Sequence, residues 1–334
     1  MNQRAIDVAG TGFTVLDRIY ADDQPRVEAL GGSCGNVLIS LAMLKHSVAP
    51  LLALGYDEAG EVLIGEFREA GADTSYISRS SEVRSPILAQ HLDTHSGQHS
   101  FSFICPETNE RLPKFKPIEM TDVQRAGDLL NGCSVFYSDR LTSSILEAME
   151  TASDAGAVVY FEPSDIGDVD LFKRALKLTS ILKVSSDRIG NELHEFDLRD
   201  GAVTIVTHGR AGLQMRQDDR TKWCAAIPAS VVKDTCGSGD MVTVGLINCL
   251  LGSNVRRDAF LSFDDLYLGV VAGQRLATAN CAFPGARGLF SRLGVEFARR
   301  VLESADALAE MADSLAQMDL FEKSDEAPSS ISTR

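Results

Sequence analysis

The chain has 334 residues, 44% of them hydrophobic and 24% charged, and a formal net charge of −15. That length permits one large α/β domain or two modest ones, with a core that needs no metal or disulfide to hold it. The negative field disfavours nucleic acid and anionic lipid as principal partners, although local backbone dipoles can still bind a phosphate.

Short apolar runs alternate with helical periodicity, the pattern of βαβ units in a parallel sheet with helices on both faces. In chain order the sequence predicts a strand over 6–9, a helix over 35–45, a strand over 50–54 and helices over 58–70 and 121–130. A strand over 135–137, a helix over 143–153, and strands over 158–161, 181–184 and 203–207 follow. Helices over 241–251 and 263–280 close the series. Two stretches, 12–30 and 85–103, break this rhythm by alternating polar and apolar residues. Both read as antiparallel strands with one wet face, the second turning at 94–98. They form either a separate small sheet, suited to a lid, or an antiparallel extension of the main sheet. A single folded body is expected over 1–318. The segment 319–334, ending KSDEAPSSISTR, lacks apolar periodicity and is expected to be disordered.

The seven cysteines, Cys34, Cys105, Cys133, Cys224, Cys236, Cys249 and Cys281, are scattered and form no C-x-x-C pair. They read as reduced thiols of a cytosolic protein. The opening MNQRAIDVAGTGF lacks a signal-peptide pattern, and no segment approaches the ~20 apolar residues of a membrane span. The expected location is therefore cytoplasmic, without membrane or nucleic-acid partners.

The strongest chemical signal is DTCGSGD, Asp234 to Asp240, immediately before an apolar helical run. Small residues at 237–239 let backbone approach a ligand closely, and their N–H groups would open a helix N-terminus, where the dipole favours an anion. Such a turn can stabilise the charge of a transferring phosphoryl group, and Asp240 can accept a hydroxyl proton. On spacing alone, a Gly-rich turn with an Asp near a helix start reads equally well. Upstream, GGSCGN places Gly31 and Gly32 before Asn36, which offers a ligand both donor and acceptor. Asp17 ends GTGFTVLD; Thr207, Gly209 and Gly212 lie in THGRAG; Asn280 lies in ATANCA, shortly before PGA at 284–286. Gly10-Thr11-Gly12 follows a strand, but the third glycine of a dinucleotide fingerprint is missing and FTVLDRIY does not start an amphipathic helix. No P-loop motif occurs.

Taken in order over residues 4–300, these motifs, with LGYDEAG at 54–60 and GAD at 71–73, resemble the ribokinase-like (phosphofructokinase-B type) carbohydrate kinases. Their signature D-T-x-G-A-G-D differs from DTCGSGD at one small position. The resemblance implies an α/β, three-layer αβα fold with a mostly parallel central sheet and a small β-sheet lid from about 12–30 and 85–103. It implies ATP-dependent phosphorylation of a hydroxymethyl group on a sugar or sugar derivative. Asp240 would be the general base, and Gly237, Ser238 and Gly239 the anion hole. Asp17, Gly31, Gly32 and Asn36 would bind the acceptor, and Thr207, Gly209, Gly212, Thr235 and Asn280 the nucleotide. Mg²⁺ is expected, with K⁺ a candidate monovalent activator, and the lid's apolar face suits a homodimer contact.

Two departures stand out. Where relatives carry N-x-x-E, this chain has Ser185 and Arg188, leaving no direct metal ligand; either Asp187 or Glu192 acts through water, or Arg188 touches a phosphate directly and partly replaces the metal network. Where many sugar kinases carry D-x-N-x-R, FEPS keeps Glu162 and loses the Arg. A nucleoside kinase of the same fold, or a catalytically weak sugar- or nucleotide-binding homologue, are the competing readings. The lid residues His91, His95, His99, Phe101 and Phe103 match no subfamily pattern that would name the acceptor.

Overall fold

The computed structural model describes residues 6–21, 24–92, 99–190, 192–252 and 261–325. Its centre is an eight-stranded sheet. In chain order the strands are β1 (Val8–Thr11), β2 (Val15–Ala21), β3 (Gln24–Gly31), β4 (Val48–Pro50), β5 (Leu52–Gly55), β6 (Ile77–Ser80), β7 (Ile87–Leu92), β8 (His99–Ser102), β9 (Val135–Ser138), β10 (Val158–Phe161), β11 (Ile181–Ser185), β12 (Val203–Thr207), β13 (Gly212–Gln217) and β14 (Arg220–Ala225). The helices are α1 (Ser33–Met43), α2 (Glu58–Ala70), α3 (Met120–Arg125), α4 (Gly127–Gly132), α5 (Ser143–Asp154), α6 (Val169–Leu178), α7 (Ser238–Gly252), α8 (Phe263–Asn280), α9 (Gly288–Glu303) and α10 (Ala305–Asp325).

The main sheet runs β14-β13-β12-β11-β10-β9-β1-β4, parallel from β12 to β4 and antiparallel over β13 and β14. Because side chains alternate along a strand, each buried strand feeds two cores. Val8, Tyr137, Tyr160, Ile181 and Ile205 pack with α1, α2, α7, α8 and α9 on one face. Ala9, Phe136, Phe161, Leu182 and Val184 pack with α3 to α6 on the other. The result is the expected three-layer αβα arrangement.

The lid is a separate four-stranded sheet, β3-β2-β7-β8. Its two hairpins are antiparallel, but they join through a parallel β2–β7 pair, Leu16 opposite Ile87 through Ala21 opposite Leu92. The turn expected at 94–98 lies outside the described residues. The single strand expected over 50–54 is two strands. The ladder to β1 ends at Pro50, which has no N–H to extend it, and β5 pairs instead with β6. The helix expected over 121–130 is broken at Ala126 and Gly127 into α3 and α4. Helix α10 runs to Asp325, so the tail expected to be disordered from 319 begins helical, and 326–334 lie outside the described residues. Among the described residues no helix is long and apolar enough to cross a membrane.

Candidate active site

The carboxyl ends of parallel strands are where open α/β sheets bind ligands. Here that edge gathers Phe13 after β1, Asp139 after β9, Glu162 after β10, Ser185 at the end of β11 and His208 after β12. The DTCGSGD turn approaches the same region from α7. Asp234 shapes it, accepting from Cys236 N–H at 2.7 Å and from Gly285 N–H at 2.8 Å. Gly237 turns the chain at φ 73°, and an added Cβ there would stand 2.7 Å from Ala286 Cβ, so glycine is required on both counts. The carbonyl of Gly237 accepts Met241 N–H at 2.9 Å, fixing the helix start.

One expected member of the anion hole is used internally. Ser238 donates both its N–H (3.2 Å) and its hydroxyl (2.8 Å) to Thr235 O. The first-turn N–H groups without a helical acceptor are then those of Gly237, Gly239 and Asp240. Beneath them lies Lys183. Its strand neighbours Leu182 and Val184 face the opposite core, so Lys183 projects towards α7. There it donates to Glu162 and, at 3.0 Å, to Thr243 Oγ1; a Cβ on Gly239 would stand 3.7 Å from its Nζ. Glu162 also accepts from Thr243 at 2.7 Å and from Tyr137 at 3.3 Å. Glu162 is thus paired with Lys183 beneath the turn.

Asp240 is buried in the first turn of α7, and Asn36 Nδ2 donates to its Oδ2 at 2.8 Å. Burial, reinforced by the charge of Glu162, pushes its carboxyl up to about 7; the Asn36 hydrogen bond and Lys183 oppose the shift. Asn36 is placed by α1, where its N–H bonds Gly32 O at 2.8 Å. Its Oδ1 accepts from Arg287 at 2.8 Å. The same guanidinium donates to Leu30 O at 2.6 Å and pairs with Glu66 at 3.0 Å. Asp17, on β2, lies against Gly31, where a Cβ would come within 1.9 Å of Asp17 Oδ2. Burial raises the Asp17 carboxyl to about 7, with Arg287 lowering and Glu66 raising it. Asp139 is raised by burial to about 6, held by Phe13 N–H at 2.7 Å and by Arg140 at 3.1 Å.

The structure therefore brings Asp17, Gly31, Gly32, Asn36 and the 237–240 turn together around Arg287. Reasoning from sequence missed Arg287, Glu66 and Lys183. The expected nucleotide residues divide. Thr207, Gly209 and Gly212 form the β12–β13 corner, and Gly212 is packed so closely on β14 that a Cβ would meet Cys224 O at 2.2 Å. Asn280 is the last residue of α8. It is fully buried, donating to Gly285 O (3.3 Å) and Ala286 O (3.1 Å) and accepting Leu289 N–H (3.0 Å), so it pins the loop that carries Arg287. Asp187 and Glu192 are exposed beyond β11, and Asp187 bonds within its own turn, at 3.4 Å to Ser185 and Ser186. Among the described residues no group of three or more His, Cys, Asp or Glu stands ready to hold a metal. His91 stacks on Tyr20 at 5.5 Å, while His95 lies outside the described residues.

Comparison with known proteins fits this geometry. The family model described as pfkB family carbohydrate kinase matches residues 20–261. The chain is 27% identical over 275 residues to aminoimidazole riboside kinase of Salmonella typhimurium, covering 75% of this chain and 83% of that one. It is 22% identical over 231 residues to probable fructokinase-5 of Arabidopsis thaliana, covering 64% and 71%. Among solved structures, fructokinase with bound ATP from Xylella fastidiosa matches with TM-score 0.70 at 18% identity, over 89% of this chain and 99% of that one. Ribokinase from Giardia lamblia matches with TM-score 0.70 at 16% identity, over 87% and 99%. At such identities these structural likenesses show the fold.

Proposed function

Because the chain belongs to the pfkB family of carbohydrate kinases, we propose that it transfers the γ-phosphoryl group of ATP to the hydroxymethyl group of a neutral sugar or riboside, with Asp240 as general base. The observation that carries this reading is the placement of Asp240: buried at the start of α7, one oxygen held by Asn36, its carboxyl raised to about 7. A base with that pKa is substantially ionised near neutrality yet strong enough to take a hydroxyl proton. Asn36 occupies Oδ2, and the acceptor hydroxyl is assigned to Oδ1. Charge gathering on the phosphoryl oxygens meets the N–H groups of Gly237, Gly239 and Asp240 and the positive end of α7, with Lys183 below.

The acceptor is assigned as uncharged because Asp17, Glu66 and Asp240 surround a single guanidinium already engaged by Leu30, Asn36 and Glu66. An anionic acceptor would meet three carboxylates. Thr207, Gly209, Gly212 and Thr235 are assigned to the nucleotide side. Mg²⁺ bound with ATP would neutralise phosphate oxygens, held by those oxygens and water with Asp187 or Glu192 outside them. The likeness to aminoimidazole riboside kinase supports the riboside version, and that to fructokinase-5 the sugar version.

The test is ADP production with Mg-ATP and a panel of neutral ketohexoses, pentoses and ribosides. Turnover of at least one is expected, and Asp240→Asn should then lower kcat by roughly two to four decades with little change in nucleotide affinity. A near-normal kcat would remove Asp240 as the base. No turnover of any acceptor would replace the kinase reading with that of a binding homologue.

A further inference from the structure

Two side chains of the lid keep buried polar atoms that nothing in the fold satisfies. Asp17 Oδ1, an acceptor, and Gln90 Nε2, a donor, are both buried without a hydrogen-bond partner. In the parallel β2–β7 register Asp17 stands opposite Leu88 and Ile19 opposite Gln90. Residues two apart on a strand share a face, so Asp17 and Gln90 project from the same face of the lid on adjacent strands. Ordinary sheet spacing puts their Cα atoms roughly 8 Å apart.

Gln90 is 1% exposed. Its Oε1 faces Cys236 Sγ at 3.9 Å, in the very turn that opens α7. The charges of Asp234, Asp17, Asp240 and Arg287 all act on that thiol, which places it among the groups of the site. The glutamine's oxygen end therefore touches the turn from the lid, and its N–H₂ end stays buried and unbonded. A buried amide donor left unmade costs about 1–3 kcal/mol. An apolar residue like its strand neighbour Leu88 would avoid that cost, so the fold by itself gives no reason for a glutamine here.

We propose that Gln90 is a specificity residue for the acceptor. Its Nε2 donates to one oxygen of the bound polyol while Asp17 Oδ1 accepts a hydroxyl of the same molecule, so that lid and turn read the acceptor together. The inference rests on the kinase reading above and adds to it the group that discriminates among neutral acceptors. A donor facing an acceptor at this spacing requires a molecule with at least two oxygens on one edge, one of them usable as a hydrogen-bond acceptor. This excludes simple alcohols and favours sugars and ribosides.

The experiment measures steady-state kinetics of wild type, Gln90→Leu and Gln90→Glu with Mg-ATP, the best acceptor of the panel and its single-deoxy analogues. Gln90→Leu removes the donor, and Gln90→Glu keeps the shape but presents an acceptor oxygen instead. Both should raise the acceptor KM roughly ten- to hundredfold, the equivalent of leaving one buried oxygen of the acceptor unpaired. The KM for ATP should stay unchanged. One deoxy analogue that wild type discriminates against should be treated by Gln90→Leu like the parent acceptor, a loss of discrimination that a merely structural role would not produce. Turnover with an unchanged acceptor KM in both variants, or unaltered discrimination among the deoxy analogues, overturns the assignment of Gln90 alone. If Gln90→Leu fails to fold, Gln90→Glu with the same analogues decides the matter. If wild type turns over no sugar or riboside, the kinase reading itself falls and this inference with it.

Discussion

Replacing Arg287 with methionine tests whether one guanidinium holds the acceptor side together. The side chain is 11% exposed and pairs at 3.0 Å with Glu66, itself 26% exposed. It also donates to Leu30 O at 2.6 Å and Asn36 Oδ1 at 2.8 Å, while Glu66 Oε1 accepts Leu30 N–H at 2.6 Å. Removing one partner of a fully buried pair costs roughly 3–5 kcal/mol, because the other charge is left uncompensated. The partial exposure of Glu66 brings that down to about 2–3 kcal/mol, since water screens the orphaned carboxylate. Urea unfolding should show the loss as a lower midpoint with an unchanged slope. The kinetic consequence is separate. Without Arg287 the Asn36 amide loses the anchor on its oxygen, Asp240 loses an oriented donor, and nearby positive charge disappears, so the Asp240 carboxyl rises further. The acid limb of the kcat/KM profile should move to higher pH. Adding Glu66→Gln should recover much of the stability by removing the orphaned charge, yet leave the shifted profile in place. Stability within about 0.5 kcal/mol of wild type, the scatter of an ordinary surface substitution, together with an unshifted profile would refute this account.

The remaining predictions address neighbouring groups. Gly31→Ala should raise the acceptor KM by about tenfold or more at near-normal kcat, because its Cβ would displace Asp17 Oδ2 from 1.9 Å away; initial-rate kinetics decide it. Titrating Mg²⁺ against Asp187→Asn and Glu192→Gln should show a higher half-maximal Mg²⁺ for whichever carboxylate holds the hydrated ion, and wild-type activity undiminished in EDTA would sink the Mg²⁺ assignment. Asp17 has its carboxyl raised from 3.8 to about 7, so the folded chain keeps a proton that the unfolded chain has already released between those values. Stability contributed by this group therefore falls as pH rises from about 4 to 7 and stays lost above. Asp17→Asn should gain up to about 4 kcal/mol on wild type at pH 8 relative to pH 4, read from urea midpoints; an equal difference at both pH values contradicts the shift.

What the sequence made legible was whatever is built from consecutive residues. DTCGSGD declares itself because its turn, its φ 73° glycine and its helix start lie within seven residues. The αβα layering was legible because alternation and helical period are local signals. The parallel join of β2 to β7 was not, since alternation assigns a strand's faces and says nothing of its neighbour's direction. Strands β13 and β14 and helices α6 and α9 passed unread, although Asp168 caps α6 in the ordinary way at 3.0 Å. In the site, Arg287 and Glu66 were invisible because each gains its meaning from a partner more than 200 positions away. Lys183 did leave a signal: a lysine inside ILKVS, among residues otherwise fit for a buried strand, needs a buried acid, and Glu162 supplies it.

These long-range contacts tie the proposed basicity of Asp240 to the enclosure around it. The largest cause of the raised Asp240 carboxyl is burial, with the charge of Glu162 second. Burial at that position is assembled from α1 through Asn36, from the α8–α9 loop through Arg287, and from the lid through Gln90 and Cys236. Opening any of these would admit water and lower the carboxyl towards its ordinary value of 3.8. An acceptor polyol bound as proposed would hydrogen-bond both Asp17 and Gln90, which the fold leaves unpaired. If Asp240 is the base, as proposed, discrimination against ATP hydrolysis would follow from the same buried groups that are assigned to the acceptor.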